Sequence, residues 1–131
     1  MHIYCRIYFL GRICAWIKRQ GGVQKFHETS YKKSGLLYDV IDKSNGFYVS
    51  PVDKAYRSRI NVPFRIGSAS GVDTLERAFL TGAEALNMIA LEGHRTVGGI
   101  RASLYNAVTV EEVKVLAKYM TDFYHQNKNN Q

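Results

Sequence analysis

The spacing of apolar residues changes period part-way along this chain, and that change excludes most architectures. As far as Ser44-Asn45-Gly46, apolar residues recur at three- and four-residue steps, the signature of one helix face. Over 59–66, Arg59-Ile60-Asn61-Val62-Pro63-Phe64-Arg65-Ile66 alternates polar and apolar residues in the two-residue period of a half-buried strand. A chain carrying both periods within 131 residues has room for one domain in which helices pack on a sheet.

The punctuation sets the order of elements. Ile3, Ile7, Leu10, Cys14 and Ile17 mark an amphipathic helix over about 3–20, diluted by Arg6, Gly11 and Arg12 and ended by Gly21-Gly22. A second helix runs from Val23 and Phe26 through Leu37 to Val40 and Ile41, with a bend expected at Ser34-Gly35. Phe47-Tyr48-Val49 reads as a short strand. Pro63 cannot donate to a ladder, so the strand over 59–66 is expected at an edge or with a bulge. After the loop 67–71, Asp73 and Glu76 predict a capping box for a helix burying Leu75, Phe79 and Leu86. Two further strands are expected over 88–91 and 100–105, joined by a loop over 92–99. Thr109 and Glu112 form the clearest capping box, with Val108 and Val113 as its hydrophobic staple, and the last helix follows through Leu116, Met120 and Phe123. The polar stretch 127–131 reads as a frayed tail. The fold class is α+β, two layers, with helices on a small, largely antiparallel sheet.

Charge leaves several partners open. Eighteen Lys and Arg against eleven Asp and Glu give +7, which suits an anionic ligand, a nucleic acid or an acidic neighbouring domain. Cys5 and Cys14 lack paired metal or redox spacing and read as core thiols of a reducing compartment. Arg6 and Arg12 interrupt the apolar opening before it reaches the length of a signal core, and no segment is long enough to cross a bilayer, so a cytoplasmic location is expected.

Gly93-His94-Arg95-Thr96-Val97-Gly98-Gly99-Ile100-Arg101 is the richest stretch. Two arginines and a histidine flank a glycine pair, a combination suited to an anion with two ends: arginine offers a planar fork to carboxylate or phosphate, and histidine adds a third donor. The glycines would permit a sharp turn and a close backbone approach to a ligand. The plain alternative is a solvated basic loop. Arg57, Arg59 and Arg65 with Phe47, Tyr48, Tyr56 and Phe64 could form an aromatic, basic sheet for single-stranded nucleic acid, but read better as core aromatics beside surface arginines. Gly67-Ser68-Ala69-Ser70-Gly71 lacks the Lys-Ser/Thr of a phosphate loop. His2, His27 and His125 have no ligand spacing, so no metal site is expected.

The block from Gly93 to Ala107 resembles the G-H-R-x-x-G-G-x-R-A-S-x-Y-N-A block of phosphoserine aminotransferases. Further matches are Trp16-Ile17-Lys18 with Gly21-Gly22, Leu37-Tyr38 with Val40-Ile41-Asp42, and Arg57-Ser58-Arg59-Ile60-Asn61-Val62-Pro63-Phe64. The resemblance implies the C-terminal small domain of a fold-type I pyridoxal-phosphate transferase over 1–126, its first helix leading in from a large domain. It also implies a cytoplasmic homodimer that exchanges an amino group between glutamate and 3-phosphohydroxypyruvate. It implies that Arg101 binds the substrate α-carboxylate and that His94 and Arg95 hold the distal anion. No catalytic or cofactor residue falls in this chain by that pattern, so pyridoxal phosphate belongs to the full-length protein and is not expected to bind stably here. Partners are then small anionic substrates, with no nucleic acid or membrane. The other reading is a noncatalytic short form that acts as an interaction or regulatory module.

Overall fold

Gly21, with φ of 100°, and Gly22, with φ of 73°, turn the chain between its first two helices through backbone angles that side chains disfavour. The structure, a computed structural model, describes residues 3–128. His2 and positions 129–131 of the expected tail lie outside the described residues.

Helix α1 (Ile3–Arg19) runs through Gly11 unbroken, but it buries no residue. Its apolar side chains face outward, and Cys5 and Cys14, expected as core thiols, are both exposed. Helix α2 (Gly22–Lys43) continues through Ser34-Gly35 without interruption. It buries Lys33, Leu37 and Ile41 at four-residue spacing, one face of a helix. The chain then enters strand β1 (Tyr48–Val49), a 3-10 turn (Lys54–Tyr56) capped by Asp53, and strand β2 (Asn61–Ile66).

Helix α3 (Asp73–Ala85) has Val72 as its N-cap, with no side-chain cap. The capping box expected from Asp73 and Glu76 is not formed, because the Glu76 carboxylate is engaged by the sheet: Oε1 accepts from the Ile66 amide at 3.2 Å. Phe79 and Ala83 are buried as a helical stripe demands, but Leu86 falls in the terminating turn and is exposed.

No strand forms over 88–91. Asn87 and Ala90 both adopt φ of 61°, and extended pairing cannot pass through two left-handed residues. The pairing strand is instead β3 (Glu92–His94), within the expected loop, and β4 is Gly98–Ser103, starting two residues earlier than expected. Helix α4 (Val110–Asn127) begins at the anticipated box: Thr109 accepts from the Glu112 amide, and Glu112 accepts from the Thr109 amide at 2.7 Å. Val113 is buried and Val108 packs beside the core. The helix runs to Asn127, the first residue of the expected tail.

The four strands form one antiparallel sheet in the order β1-β2-β4-β3. Strand β2 is thus internal, although Pro63 was expected at an edge. The Arg101 amide donates to Leu91 at 2.8 Å, away from β2, so Pro63 and Arg101 face each other as a pair that exchanges no ladder bonds. The missing Pro63 N–H points to the other side, where β1 pairs only with Arg65 and Ile66. Locally, Pro63 therefore lies beyond the end of its neighbour, where a missing donor costs nothing.

Val62, Phe64, Ile66, Ile100 and Ala102 project from one face of the sheet into the helical layer. Phe47, Tyr48, Phe64, Phe79 and Phe123 interlock there, with Phe79 and Phe123 centroids 5.2 Å apart and edge-on. The Tyr48 hydroxyl donates to Met120 at 2.8 Å, and burial drives its pKa well above the ordinary phenol range. Among the described residues no helix lies over the opposite sheet face, where Pro63, Arg101 and Ser103 are each only half-buried.

Candidate anion-binding site

The stretch 92–99 is a β-hairpin. Glu92 pairs with Ile100 and His94 with Gly98, and the Val97 amide donates to the His94 carbonyl at 2.9 Å to close the turn. Gly98 (φ 71°) and Gly99 (φ 75°) make this turn possible. Within the protein, the close approach they permit is to Arg65. A Cβ at Gly99 would lie 2.6 Å from Cδ of Arg65, and a Cβ at Gly93 would run into the Gly98 carbonyl.

His94 and Arg95 stand exposed at the hairpin tip and border a groove of about 210 Å³ against α3, shared with Asp73, Glu76 and Arg77. The Thr96 amide lies 3.3 Å from His94 Nδ1, and the Thr96 hydroxyl lies 2.7 Å from the same atom. A backbone amide can only donate, so Nδ1 accepts, and the neutral ring carries its proton on Nε2, free to donate outward.

Arg101 sits elsewhere. On β4 it alternates with the buried Ile100 and Ala102, so it leaves the sheet on the face opposite the helices. It is half-buried, and its Nε, like those of Arg57 and Arg65, is enclosed without a hydrogen-bond partner, but unlike those two Arg101 has no carboxylate paired with it among the described residues. An enclosed N–H of this kind is costly unless an acceptor reaches it, and an anion on the open face would supply one. The three residues expected to act together thus divide between two faces of one sheet: His94 and Arg95 at the tip beside α3, Arg101 on the uncovered side.

Of the arginines expected at the surface, Arg59 is exposed, whereas the side chains of Arg57 and Arg65 are largely enclosed in ion pairs. Arg57 clasps Asp42 through both terminal nitrogens, at 3.1 and 2.9 Å, and lies over the Tyr38 ring; the Arg57 hydrogen bond, helped by Lys54, holds the Asp42 carboxyl below the usual range. Phe47, Tyr48 and Phe64 are core residues, and of the four aromatics in that cluster Tyr56 alone is exposed. Near this cluster a groove of about 910 Å³ is lined by Lys32, Lys54, Arg59 and Lys114 together with Tyr31 and Asp39, and it includes none of His94, Arg95 and Arg101.

Two polar groups escaped sequence reasoning. Lys33 is buried, and its ammonium donates to the carbonyls of Leu104, Tyr105 and Val108 at 3.2, 2.8 and 2.8 Å. These are the residues that follow β4, so Lys33 ties the strand carrying Arg101 to α2. Burial lowers its pKa and the nearby Glu112 carboxylate opposes that shift. Its one sequence signal is a lysine in register with Leu37 and Ile41. The second group is the ion pair of Arg65 and Glu76, hidden because a false capping box explained Glu76.

Neither group, nor the glycine loop, fits a pyridoxal-phosphate cradle. Lys33 is the one buried lysine among the described residues, and three carbonyls already occupy its ammonium. The space beside Gly71 is filled by Arg65 and Glu76. No helix among the described residues is long and apolar enough to cross a membrane.

The arrangement is a two-layer α+β domain with Arg95 at a hairpin tip beside α3 and Arg101 on the sheet face opposite the helices. The chain belongs to the class-V aminotransferase family, whose family model matches residues 3–116. It is 60% identical over 123 residues to the phosphoserine aminotransferase of Drosophila melanogaster, a match that covers 94% of this chain and 34% of that relative. It is 55% identical over 124 residues to a probable phosphoserine aminotransferase of Caenorhabditis elegans, covering 95% and 34%. Its fold superposes on the phosphoserine aminotransferase from Bacillus circulans subsp. alkalophilus with a TM-score of 0.87 and 37% identity, over 97% of this chain and 34% of that one. A pyridoxal-phosphate-bound phosphoserine aminotransferase from Trichomonas vaginalis gives a TM-score of 0.78 and 33% identity, over 88% and 32%. The chain therefore spans about a third of the length of the relatives it matches.

Proposed function

We propose that this chain is the substrate-holding small domain of a phosphoserine aminotransferase, which converts 3-phosphohydroxypyruvate and glutamate into phosphoserine and 2-oxoglutarate in the cytoplasm. The observation that carries an anion-binding role is Arg101, half-buried on the open face with an enclosed Nε that no protein atom satisfies. The names of the relatives, at up to 60% identity, point to the substrate class.

Arg101 receives the α-carboxylate common to every substrate of such a reaction, where a planar fork fixes orientation as well as charge. His94, donating from Nε2, and Arg95 receive the distal phosphate or the glutamate side-chain carboxylate. Because Arg101 and the hairpin tip face opposite sides of the sheet, one chain does not close both around a molecule as small as phosphoserine. The reading therefore requires a homodimer in which the tip of one chain completes the site of the other. Pyridoxal phosphate supplies the electron sink for amino-group transfer when bound. Its holding residues lie outside this chain, whose own part is to grip and orient. The noncatalytic-module reading has no observation of its own.

The test is a hybrid enzyme in which this chain replaces the matching third of the Drosophila melanogaster relative. Transamination of 3-phosphohydroxypyruvate by glutamate is the expected result. A folded, cofactor-loaded hybrid without activity would overturn the proposal.

A further inference from the structure

The hairpin tip that carries His94 and Arg95 has no hydrophobic anchor. Between Leu91 and Ile100 every residue is exposed or half-buried, and β3 is three residues long. Short strands without core contacts fray, so something else must hold the tip if two side chains on it are to meet one anion.

Arg65 supplies that hold. It leaves β2 just past Phe64 and Ile100, the last register pair with β4, and fills the gap opened by Gly98 and Gly99. Its Nη1 donates to the Val97 carbonyl at 2.8 Å, its Nη2 donates to the Ser70 carbonyl, and its Nε stands 2.9 Å from Glu76 Oε1, an oblique contact that serves charge more than hydrogen bonding. Val97 in turn donates its amide to His94. The guanidinium is thus two hydrogen bonds from the His94 backbone and spans β2, the loop 67–71, α3 and the hairpin. The pair is largely enclosed, with 15% of the Arg65 side chain and 9% of the Glu76 side chain exposed. Glu76 is itself fixed by the Ile66 amide.

We propose that Arg65, held by Glu76, is a positioning residue for distal-anion recognition: it sets the hairpin so that His94 and Arg95 face one anion. This inference rests on the assignment of those two residues to the distal end. A planar group that donates to two carbonyls and pairs with a carboxylate braces three segments at once, with a fixed geometry that a lysine ammonium or an apolar side chain lacks. Gly71 belongs to the same device, because a Cβ there would run into both Arg65 and Glu76.

The test uses the hybrid enzyme with 3-phosphohydroxypyruvate and with hydroxypyruvate, which lacks the distal anion. Arg65→Met should raise KM for the phosphorylated substrate about tenfold, with kcat and both constants for hydroxypyruvate changed no more than about twofold. Added to Arg95→Ala, it should cause a smaller loss than it does alone, because the Arg95 part of the contact it positions is already gone. If Arg65→Met lacks a cooperative melting transition, Glu76→Gln, which keeps the shape and the acceptor for Ile66, decides on the same KM ratio with a shift of the same direction. Equal losses on both substrates, or none, while Arg95→Ala still discriminates them, would overturn the positioning role and leave the site reading standing. An Arg95→Ala enzyme that fails to discriminate overturns the site reading, and the inference with it.

Discussion

Lys33 and Tyr105 lie 72 positions apart, yet the Lys33 ammonium donates to the Tyr105 carbonyl at 2.8 Å and uses its other protons on Leu104 and Val108. One buried side chain thereby closes the turn between the Arg101 strand and the last helix. Lys33→Met keeps the stem and strands three carbonyls, so unfolding stability should fall by about 2–4 kcal/mol. Urea denaturation followed by circular dichroism checks this, and an unchanged midpoint would refute it.

The proposed roles of Arg101 and Arg95 predict different kinetic losses. In the hybrid enzyme, Arg101→Lys keeps a charge but loses the two-pronged donor, so kcat/KM should fall at least about tenfold in both half-reactions. Arg95→Ala should damage turnover of 3-phosphohydroxypyruvate more than that of hydroxypyruvate. Equal losses at Arg95 would remove that residue from the distal end, and an undamaged Arg101→Lys enzyme would remove Arg101 from the α-carboxylate.

Acid should loosen the domain at two named carboxylates. Hydrogen bonds from Arg57 to Asp42, and from Thr109 to Glu112, hold both pKa values below the ordinary range. A carboxylate depressed in the folded state contributes stability that is complete above its unfolded pKa of about 4 and is lost as pH falls through the folded value. Asp42→Asn and Glu112→Gln should each flatten the decline of melting temperature below about pH 4. An acid limb as steep as that of the parent chain would count against the assignment.

Helix α1 shows Ile3, Ile7, Phe9, Leu10 and Ile13 to solvent, an apolar face longer than single scattered residues would make. The chain should self-associate, with a sedimentation mass that rises with concentration, and Ile7→Glu with Leu10→Glu should return it to monomer. A parent chain that stays monomeric across the same range would contradict this.

Pyridoxal phosphate should not remain on the isolated chain. Lys33 is committed to three carbonyls, and the other lysines among the described residues are exposed. After incubation and dialysis, absorbance of bound cofactor should fall far below one equivalent, and no transamination should be measurable. A retained one-to-one complex would overturn the prediction.

By itself the sequence determined the α+β class, the order of helices and strands, the Thr109–Glu112 cap and the arginine-rich block. Each rests on signals within a few residues, in periodicity, capping and turn chemistry. Only the tertiary structure decided the rest, because it depends on partners distant in sequence. Glu76 left its local cap for Ile66 and Arg65, since the sheet offered it a cation and a buried amide. Left-handed Asn87 and Ala90 moved the strand from 88–91 to Glu92–His94. Pro63 settled inside the sheet because β1 ended before reaching it. Most consequentially, the two-residue pleat of β4 sent Arg101 to the uncovered face while the hairpin carried His94 and Arg95 toward α3. Residues only a few positions apart in sequence thereby came to serve opposite sides of the same sheet.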